Sequence, residues 1–318
     1  MASRDDARAQ VTRESERRSR LAVPAFAGGV LYLLSAIIIQ ATVSGAPTVG
    51  VLQGLSPALR GIANPAESPR ASEVKFISHR AFPLIAGSVL AALAIAALML
   101  SLLLLFDGAR FRRPETWPAA RPLALAGGIC LAVLSIGNQI AKAIETHHFA
   151  VGRDFTNHAV DHALTKSSVY LPFDYLGLLA GIALAAGTIV IALNAMRVGL
   201  LPRWMGFLGM FTGILIFFAR EGAFLQIVPA FWMVSLGILF AGRWPNGEPP
   251  AWAAGEARPW PSQARGARSR ARPAGSGDGT QPATGAGASE QPDATPAPAK
   301  PPGPSSARKR RRKRGARR

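Results

Sequence analysis

The chain has 318 residues, of which 49% are hydrophobic, and its formal net charge is +18. A single cysteine excludes a disulfide framework within the chain. The sequence also lacks a Walker A loop, a dinucleotide-binding glycine pattern, a serine nucleophile elbow and a Cys-x-x-Cys pair, which excludes the enzyme classes that these motifs define. The apolar residues lie in long blocks between charged loops, and this pattern indicates a membrane protein.

The chain begins with a charged segment and a first apolar block. Residues 1–20 are predicted to be a solvated, cytoplasmic N-terminus, and the uncharged stretch 21–43 predicts the first membrane span. A cleaved signal peptide is the alternative. It is disfavoured because the apolar run is longer than the about 7 to 15 residues of a signal core, and because Pro47 directly follows the small residues at 44–46.

The most apolar stretch is 82–106, which contains no charged residue. It corresponds to about 37 Å of helix, enough to cross a hydrocarbon core of about 30 Å. Because lipid satisfies no backbone group, we expect the other apolar blocks to be helices of the same bundle. The fold class is therefore all-α, a bundle over 21–241 with six predicted spans at 21–43, 82–106, 123–144, 171–193, 204–219 and 224–241.

Two features of this prediction leave alternatives open. The fifth and sixth spans are short and closely joined, so a re-entrant hairpin is the alternative to two full crossings. The longest predicted loop, 44–81, contains an apolar piece at 49–55 that could form a short interfacial helix.

The distribution of basic residues predicts the orientation. With the N-terminus inside, the inner segments hold 28 Lys and Arg residues and the outer loops hold 7. Both termini are therefore predicted to be cytoplasmic. The abundance of Ala, Gly, Pro and Arg is typical of a GC-rich bacterial genome, so we expect a multi-pass protein of a bacterial inner membrane.

Four of the five histidines fall within sixteen residues of one outer loop. If residues 157–165 are helical, His158 and His162 share one face, as two ligands of a metal ion must. The favoured interpretation is solvated loop histidines, so no cofactor is predicted; a metal or haem site and a pH-sensitive contact are the alternatives. The candidate ligands are His147, His148, His158, His162 and Asp161.

Polar residues near the end of the third span form a candidate substrate pathway. Asn138, Gln139 and Lys142 lie in its last turns, where ionisable groups are costly and often functional. The alternative for Lys142 is stronger: its long side chain can reach the interface or meet Glu145. For Asn138 and Gln139, the alternative is that their side chains form hydrogen bonds between helices. Three more polar residues fall at the same predicted outer boundary and would complete a vestibule: Asp174, Arg220 and Glu221.

The C-terminal region has two parts. Residues 242–262 are rich in Trp and Pro and are predicted to lie at the inner membrane surface. Residues 263–318 contain no large apolar side chain and are predicted to be disordered. A basic cluster in this tail suits anionic lipid headgroups, RNA or an acidic partner, and the lack of aromatic residues argues against base stacking. The cluster comprises Arg308, Lys309, Arg310, Arg311, Arg312, Lys313 and Arg314.

The sequences AMRVGLLPRWMGFLGMFTGIL at 195–215 and GRWPNGEPPAWAAGEARPWPS at 242–262 resemble a group of uncharacterised polytopic membrane proteins of actinobacteria. This resemblance is clearest over 195–262. It implies a location in the cell membrane and a variable basic tail, and it implies no activity, cofactor or catalytic residue.

Three functional hypotheses follow. The leading one is a structural or interaction protein whose tail gathers anionic lipid, RNA or an acidic partner at the bilayer; no motif points to an enzyme, and the sequence does not decide that question. The second is a small-solute or ion transporter that uses the polar end of the third span. The third is a metal- or haem-binding membrane protein that uses the loop histidines. Each of these is compatible with a homo-oligomer.

Overall fold

The computed structural model describes residues 4–258 except for positions 48, 51, 53–55, 57–58, 62–66, 153, 170, 219–221 and 246. The predicted disordered tail, most of the 49–55 segment and the residues Arg220 and Glu221 therefore lie outside the described residues. The described helices are α1 (Arg4–Val43), α2 (Ala71–His79), α3 (Ala81–Arg112), α4 (Ala120–Val151), α5 (Asn157–Asp161), a π-helical turn (His162–Lys166), α6 (Leu171–Val198), α7 (Arg203–Phe218), a 3₁₀ turn (Ala223–Gln226), α8 (Ile227–Phe240) and α9 (Pro250–Ala254).

The described part of the chain is all-α, and four of its helices are long and apolar enough to cross a membrane: α1, α3, α4 and α6. Even α6, with 28 residues, is about 42 Å long. Helices α7 and α8 have 16 and 14 residues. At about 1.5 Å per residue they are shorter than a hydrocarbon core of about 30 Å.

The long helices extend beyond the predicted spans because nothing in the adjoining sequence stops them. The charged N-terminal segment belongs to α1, which is continuous from Arg4. Helix α3 continues past the apolar block to Arg112 and ends where Arg113 is extended, directly before Pro114. The ring of a proline disfavours helical geometry in the preceding residue, which explains this end point.

Contacts between the six apolar helices form a closed circuit. Helix α1 packs against α3, α3 against α4, α4 against α6, α6 against α7, α7 against α8, and α8 returns to α1; α3 also contacts α6 across the circuit. The α4 and α6 backbones approach closely at two glycines. A Cβ at Gly127 would lie 2.5 Å from the Leu184 nitrogen, and one at Gly187 would lie 2.8 Å from the Ala124 nitrogen. Glycine is therefore required at both positions for this packing.

A buried ion pair joins the first helix to the end of α3. Arg112 donates to both carboxylate oxygens of Glu14, with N–O distances of 2.8 and 2.7 Å. Their side chains are 0% and 4% exposed. The Arg112 guanidinium also donates to the carbonyl oxygens of Gly108, at 2.9 Å, and of Ala251, at 2.8 Å. This paired, hydrogen-bonded arrangement is the one in which a buried charge is tolerated.

The same site holds the C-terminal helix α9 against the bundle. Trp252 is 3% exposed, and its indole nitrogen donates to the Leu200 carbonyl at 3.1 Å. The guanidinium groups of Arg18 and Arg112 lie 5.3 and 5.7 Å from the centre of its ring, and Arg18 also pairs with Glu248. We call Glu14, Arg18, Arg112, Glu248 and Trp252 the Arg112 cluster. The expected solvation of the N-terminal segment is thus wrong at Glu14, because α1 continues as a helix and carries this residue into the protein.

Replacing Glu14 by Ala leaves the Arg112 guanidinium buried without its carboxylate. We expect this variant to lose about 3–5 kcal/mol of unfolding free energy, measured by thermal unfolding in detergent micelles. The paired substitution of Glu14→Leu with Arg112→Met removes both charges and should recover most of that loss.

The neighbouring residue Arg113 provides the matched control. Its side chain is 44% exposed and pairs with Glu115 at 3.3 Å. Exposed ion pairs contribute about 0–1 kcal/mol to the free energy of unfolding, so Arg113→Met should leave the stability nearly unchanged. A Glu14→Ala variant as stable as Arg113→Met would contradict the account of the Arg112 cluster.

Candidate solute-binding cavity

A cavity of about 340 Å³ lies at the end of the bundle opposite to the Arg112 cluster. It is enclosed by the C-terminal part of α1, the N-terminal parts of α3 and α6, the C-terminal halves of α4 and α7, and the 3₁₀ turn. Its size falls at the lower end of the range of about 300–1,000 Å³ for small-molecule sites. Its polar lining comprises Tyr32, Ser35, Gln40, Ser88, Ser135, Asn138, Gln139, Lys142 and Gln226.

The cavity reaches all three residues of the predicted substrate pathway. Asn138, Gln139 and Lys142 lie within five consecutive positions of α4, and each contributes to the lining. The lining also includes Gln226, which sequence reasoning missed. The sequence did contain a signal for this residue, because Gln226 is the only strongly polar side chain in the predicted sixth span.

The amide of Asn138 is buried and held in one orientation. Its nitrogen donates to the Asp174 carboxylate at 3.1 Å, and the residue is only 9% exposed. A carboxylate accepts and does not donate, so this contact fixes the amide nitrogen toward α6. Its carbonyl oxygen, Oδ1, has no hydrogen-bond partner among the described residues.

A second amide oxygen at the cavity is in the same situation. Oε1 of Gln226 is buried and has no hydrogen-bond partner in the described part of the chain. A buried acceptor without a donor costs about 1–3 kcal/mol. Both residues line the cavity, although these two oxygens are themselves buried away from solvent.

The bundle is filled by side chains between the cavity and the Arg112 cluster. Leu102 and Phe106 of α3, Ile191 of α6 and Trp232 of α8 are each at most 1% exposed and belong to one core. The indole nitrogen of Trp232 donates to the Met205 carbonyl at 3.0 Å, so the ring is fixed as well as packed. The cavity is therefore closed toward this end.

The loop histidines surround a separate, shallower pocket of about 310 Å³ between the end of α4 and the α5 region. Its wall includes Glu145, His148, Asp154, His158 and His162, whereas His147 and Asp161 do not contribute. The predicted helix at 157–165 is divided into α5 and the π-helical turn.

The carboxylates of this pocket already have partners. Glu145 accepts from the Ser167 hydroxyl at 2.9 Å and lies 3.8 Å from His162 Nδ1. Asp154 accepts from the backbone nitrogen of Thr156 at 3.0 Å, which lowers the pKa of its carboxyl below the ordinary value. Within the described ranges, no three His, Cys, Asp or Glu side chains form a group that could hold a metal ion.

The described fold is thus an all-helical bundle with four helices that could cross a membrane and a polar cavity between its helices. Comparison with protein-family models, with curated proteins and with solved structures finds no match for this chain. The resemblance to the actinobacterial group therefore stays a prediction.

The arrangement of the histidine loop allows a direct test. Because no three ligands converge there, we expect the quadruple Ala variant at His147, His148, His158 and His162 to have the same metal content as the wild type. Elemental analysis and the visible absorption spectrum of the detergent-purified proteins measure this. A stoichiometric metal or a haem band that disappears in the variant would contradict the prediction.

Proposed function

We propose that this chain is a multi-pass protein of a bacterial inner membrane that binds a small polar solute in the cavity and carries it across the bilayer. The polar lining of the cavity, which includes Asn138, Gln139 and Lys142, is the observation that supports this function best. Polar groups within a membrane bundle are costly, and they commonly mark a substrate path. A polar cavity between apolar helices that is closed toward one end of the bundle is also what a carrier presents in one of its states.

We further propose that all six apolar helices cross the membrane, with the cavity outside and the Arg112 cluster inside. The hairpin of α7 and α8 supports this arrangement. The start of α7 and the end of α8 pack in the core that contains Trp252, and the 3₁₀ turn between them places Gln226 in the cavity lining. The hairpin thus runs from one end of the bundle to the other. The excess of Lys and Arg in the segments at the Arg112 end supports a cytoplasmic location for both termini.

The single native cysteine allows water access to the cavity to be measured. Ser135 of α4 lines the cavity, whereas Cys130, five residues earlier, is exposed on the outer, apolar surface of the bundle. In a Cys130→Ala background, we expect Ser135→Cys to react with a membrane-impermeant thiol reagent added outside intact cells. The native Cys130 should not react with it, because it faces lipid.

Ser101 is the matched control in this experiment. It is another small helix residue, 2% exposed, whose hydroxyl donates to the Ala97 carbonyl at 2.9 Å, and it lies outside the cavity lining. Ser101→Cys should stay unlabelled. Equal protection of Ser135→Cys and Ser101→Cys from the thiol reagent would contradict a water-filled cavity. Labelling of Ser135→Cys only in inverted vesicles would show that the orientation is the reverse of the one proposed.

A second candidate function, membrane-anchored binding by the tail, is favoured by the way α9 is fixed. Trp252 is held in the Arg112 cluster, and the backbone nitrogen of Arg258 donates to the Val198 carbonyl at 3.1 Å. The chain that continues beyond 258 therefore starts from a point tied to the bundle. In this proposal the basic cluster at 308–314 binds anionic lipid headgroups, and RNA or an acidic protein is the alternative partner.

Changing the seven basic residues at 308–314 to Gln should weaken binding of the nanodisc-embedded protein to phosphatidylglycerol-containing vesicles. Each charge near an anionic surface contributes about 1 kcal/mol, so we expect a loss of more than about 100-fold, measured by co-flotation at low salt. The control changes four dispersed arginines, Arg265, Arg268, Arg270 and Arg272, and should lose less. Unchanged vesicle binding in the 308–314 variant would contradict the lipid-binding proposal.

A further inference from the structure

Two Arg-Trp pairs of the sequence meet at the Arg112 end of the bundle. Arg203 and Trp204 begin α7, and Arg243 and Trp244 follow shortly after the end of α8. The two indole rings are stacked, with their centroids 5.6 Å apart and an angle of 25° between their planes. Trp244 is partly buried against the core, whereas Trp204 is 47% exposed. One ring of the stack is therefore anchored in the protein, and the other lies on its outer surface.

The turn after α8 fixes the position of the second pair. Gly242 adopts a positive φ of 71°, and its nitrogen donates to the Leu239 carbonyl at 3.0 Å. The nitrogen of Arg243 donates to the Ile238 carbonyl at 3.2 Å. This hydrogen-bonded helix end favours glycine, because the residue after the cap is left-handed. The end of α8 therefore holds the backbone that carries Arg243 and Trp244.

Trp204 begins a stripe of exposed apolar side chains along α7, which we call the α7 stripe. Its members are three or four residues apart and so lie on one face of the helix, whereas Met205, Gly209 and Thr212 are buried. The stripe is about 21 Å long, more than the about 15 Å depth of one leaflet of the hydrocarbon core. An extended acyl chain can lie along it. The α7 stripe comprises Trp204, Phe207, Phe211, Ile214 and Phe218, each between 45% and 60% exposed.

The charge around the stacked rings is positive. Segments 195–215 and 242–258 hold four arginines and two glutamates. Of the glutamates, Glu248 already pairs with Arg18 in the Arg112 cluster, and Glu256 is an exposed residue beyond α9. The exposed residues Arg203 and Arg243 have no ion-pair partner in the described part of the chain. One remaining carboxylate does not balance these arginines, so the surface beside the stack favours an anion.

We propose that the stacked rings of Trp204 and Trp244, the two adjoining arginines and the α7 stripe form a binding site for an anionic phospholipid. Indole rings favour the headgroup layer, so the stack places Arg203 and Arg243 near the depth of the lipid phosphate. A guanidinium binds phosphate oxygens through charge-assisted hydrogen bonds, and the stripe contacts an acyl chain. This inference requires that α7 lies in the bilayer, as proposed above. It is independent of the solute cavity and of the basic tail.

Quenching by brominated lipids measures which headgroup lies beside the stack. The full-length protein carries Trp117→Phe and Trp260→Phe, so that the stacked indoles remain together with Trp232 and Trp252. These last two are 0% and 3% exposed, which keeps them out of contact with lipid. The protein is placed in nanodiscs of phosphatidylglycerol and phosphatidylcholine, with dibrominated acyl chains on one lipid at a time. We expect phosphatidylglycerol to be preferred about tenfold, the effect of two cationic groups near an anionic headgroup in moderate salt.

Variants then assign this preference to the site. Arg203→Gln and Arg243→Gln should each lower the preference about threefold, and the double variant should abolish it. The matched control combines Arg110→Gln with Arg121→Gln. These are also exposed arginines of the Arg112 end, but they lie on α3 and α4, whereas the main neighbours of α7 are α6 and α8. The control, and a variant with the basic residues at 308–314 changed to Gln, should keep the preference.

Each other outcome overturns the site in a recognisable way. Equal quenching by the two brominated lipids, or equal losses in the double variant and its matched control, would leave α7 as a lipid-facing helix without headgroup selection. Loss of the preference only in the 308–314 variant would assign it to the tail. Protection of the stack from both lipids would also contradict the proposed position of α7 in the bilayer, and light scattering would then show whether a second copy of the chain covers the stripe.

Discussion

The interior of a bilayer offers no hydrogen-bond partners, and this constraint governs the whole molecule. Backbone groups meet it by forming helices. Polar side chains must satisfy it by forming hydrogen bonds with one another, with the backbone or with an enclosed molecule. Asn194 donates within its own helix and Trp232 donates to a neighbouring one. Among the described residues, the amide oxygens of Asn138 and Gln226 at the cavity have no such partner, and neither does the hydroxyl of Thr212 in α7, which lies outside the cavity lining.

Polar side chains have different surroundings at the two ends of the bundle. At one end, Arg112 is fully buried, but its guanidinium is met by Glu14, by two backbone carbonyls and by the face of Trp252. This cluster ties α1, α3 and α9 together. At the other end, α1 and α3 line a polar cavity together with α4, α6, α7 and the 3₁₀ turn.

The parts of this structure that depend on local sequence could be predicted, and those that depend on long-range pairing could not. Each predicted apolar block contains a helix, because uncharged runs of this length have no other stable form in lipid. The polar residues 138, 139 and 142 were recognisable within such a run. In contrast, Glu14 and Arg112 are 98 positions apart, and no periodicity links them. His158 and His162 are four residues apart, a spacing that suits two metal ligands on one face of a helix. Whether a third ligand converges on them depends on how distant segments pack.

The central claim is that α4 has one face toward lipid and another toward an aqueous cavity. A spin-label scan of residues 129–144 tests it most directly, with accessibility to oxygen and to a polar nickel chelate measured at each position. Oxygen accessibility should peak at the exposed residues Ile129, Val133, Ile140 and Ile144. Chelate accessibility should peak out of phase with it, at Ser135, Gln139 and Lys142, which line the cavity. Exclusion of the chelate from all three positions would contradict the claim and would leave α4 as an ordinary packed span.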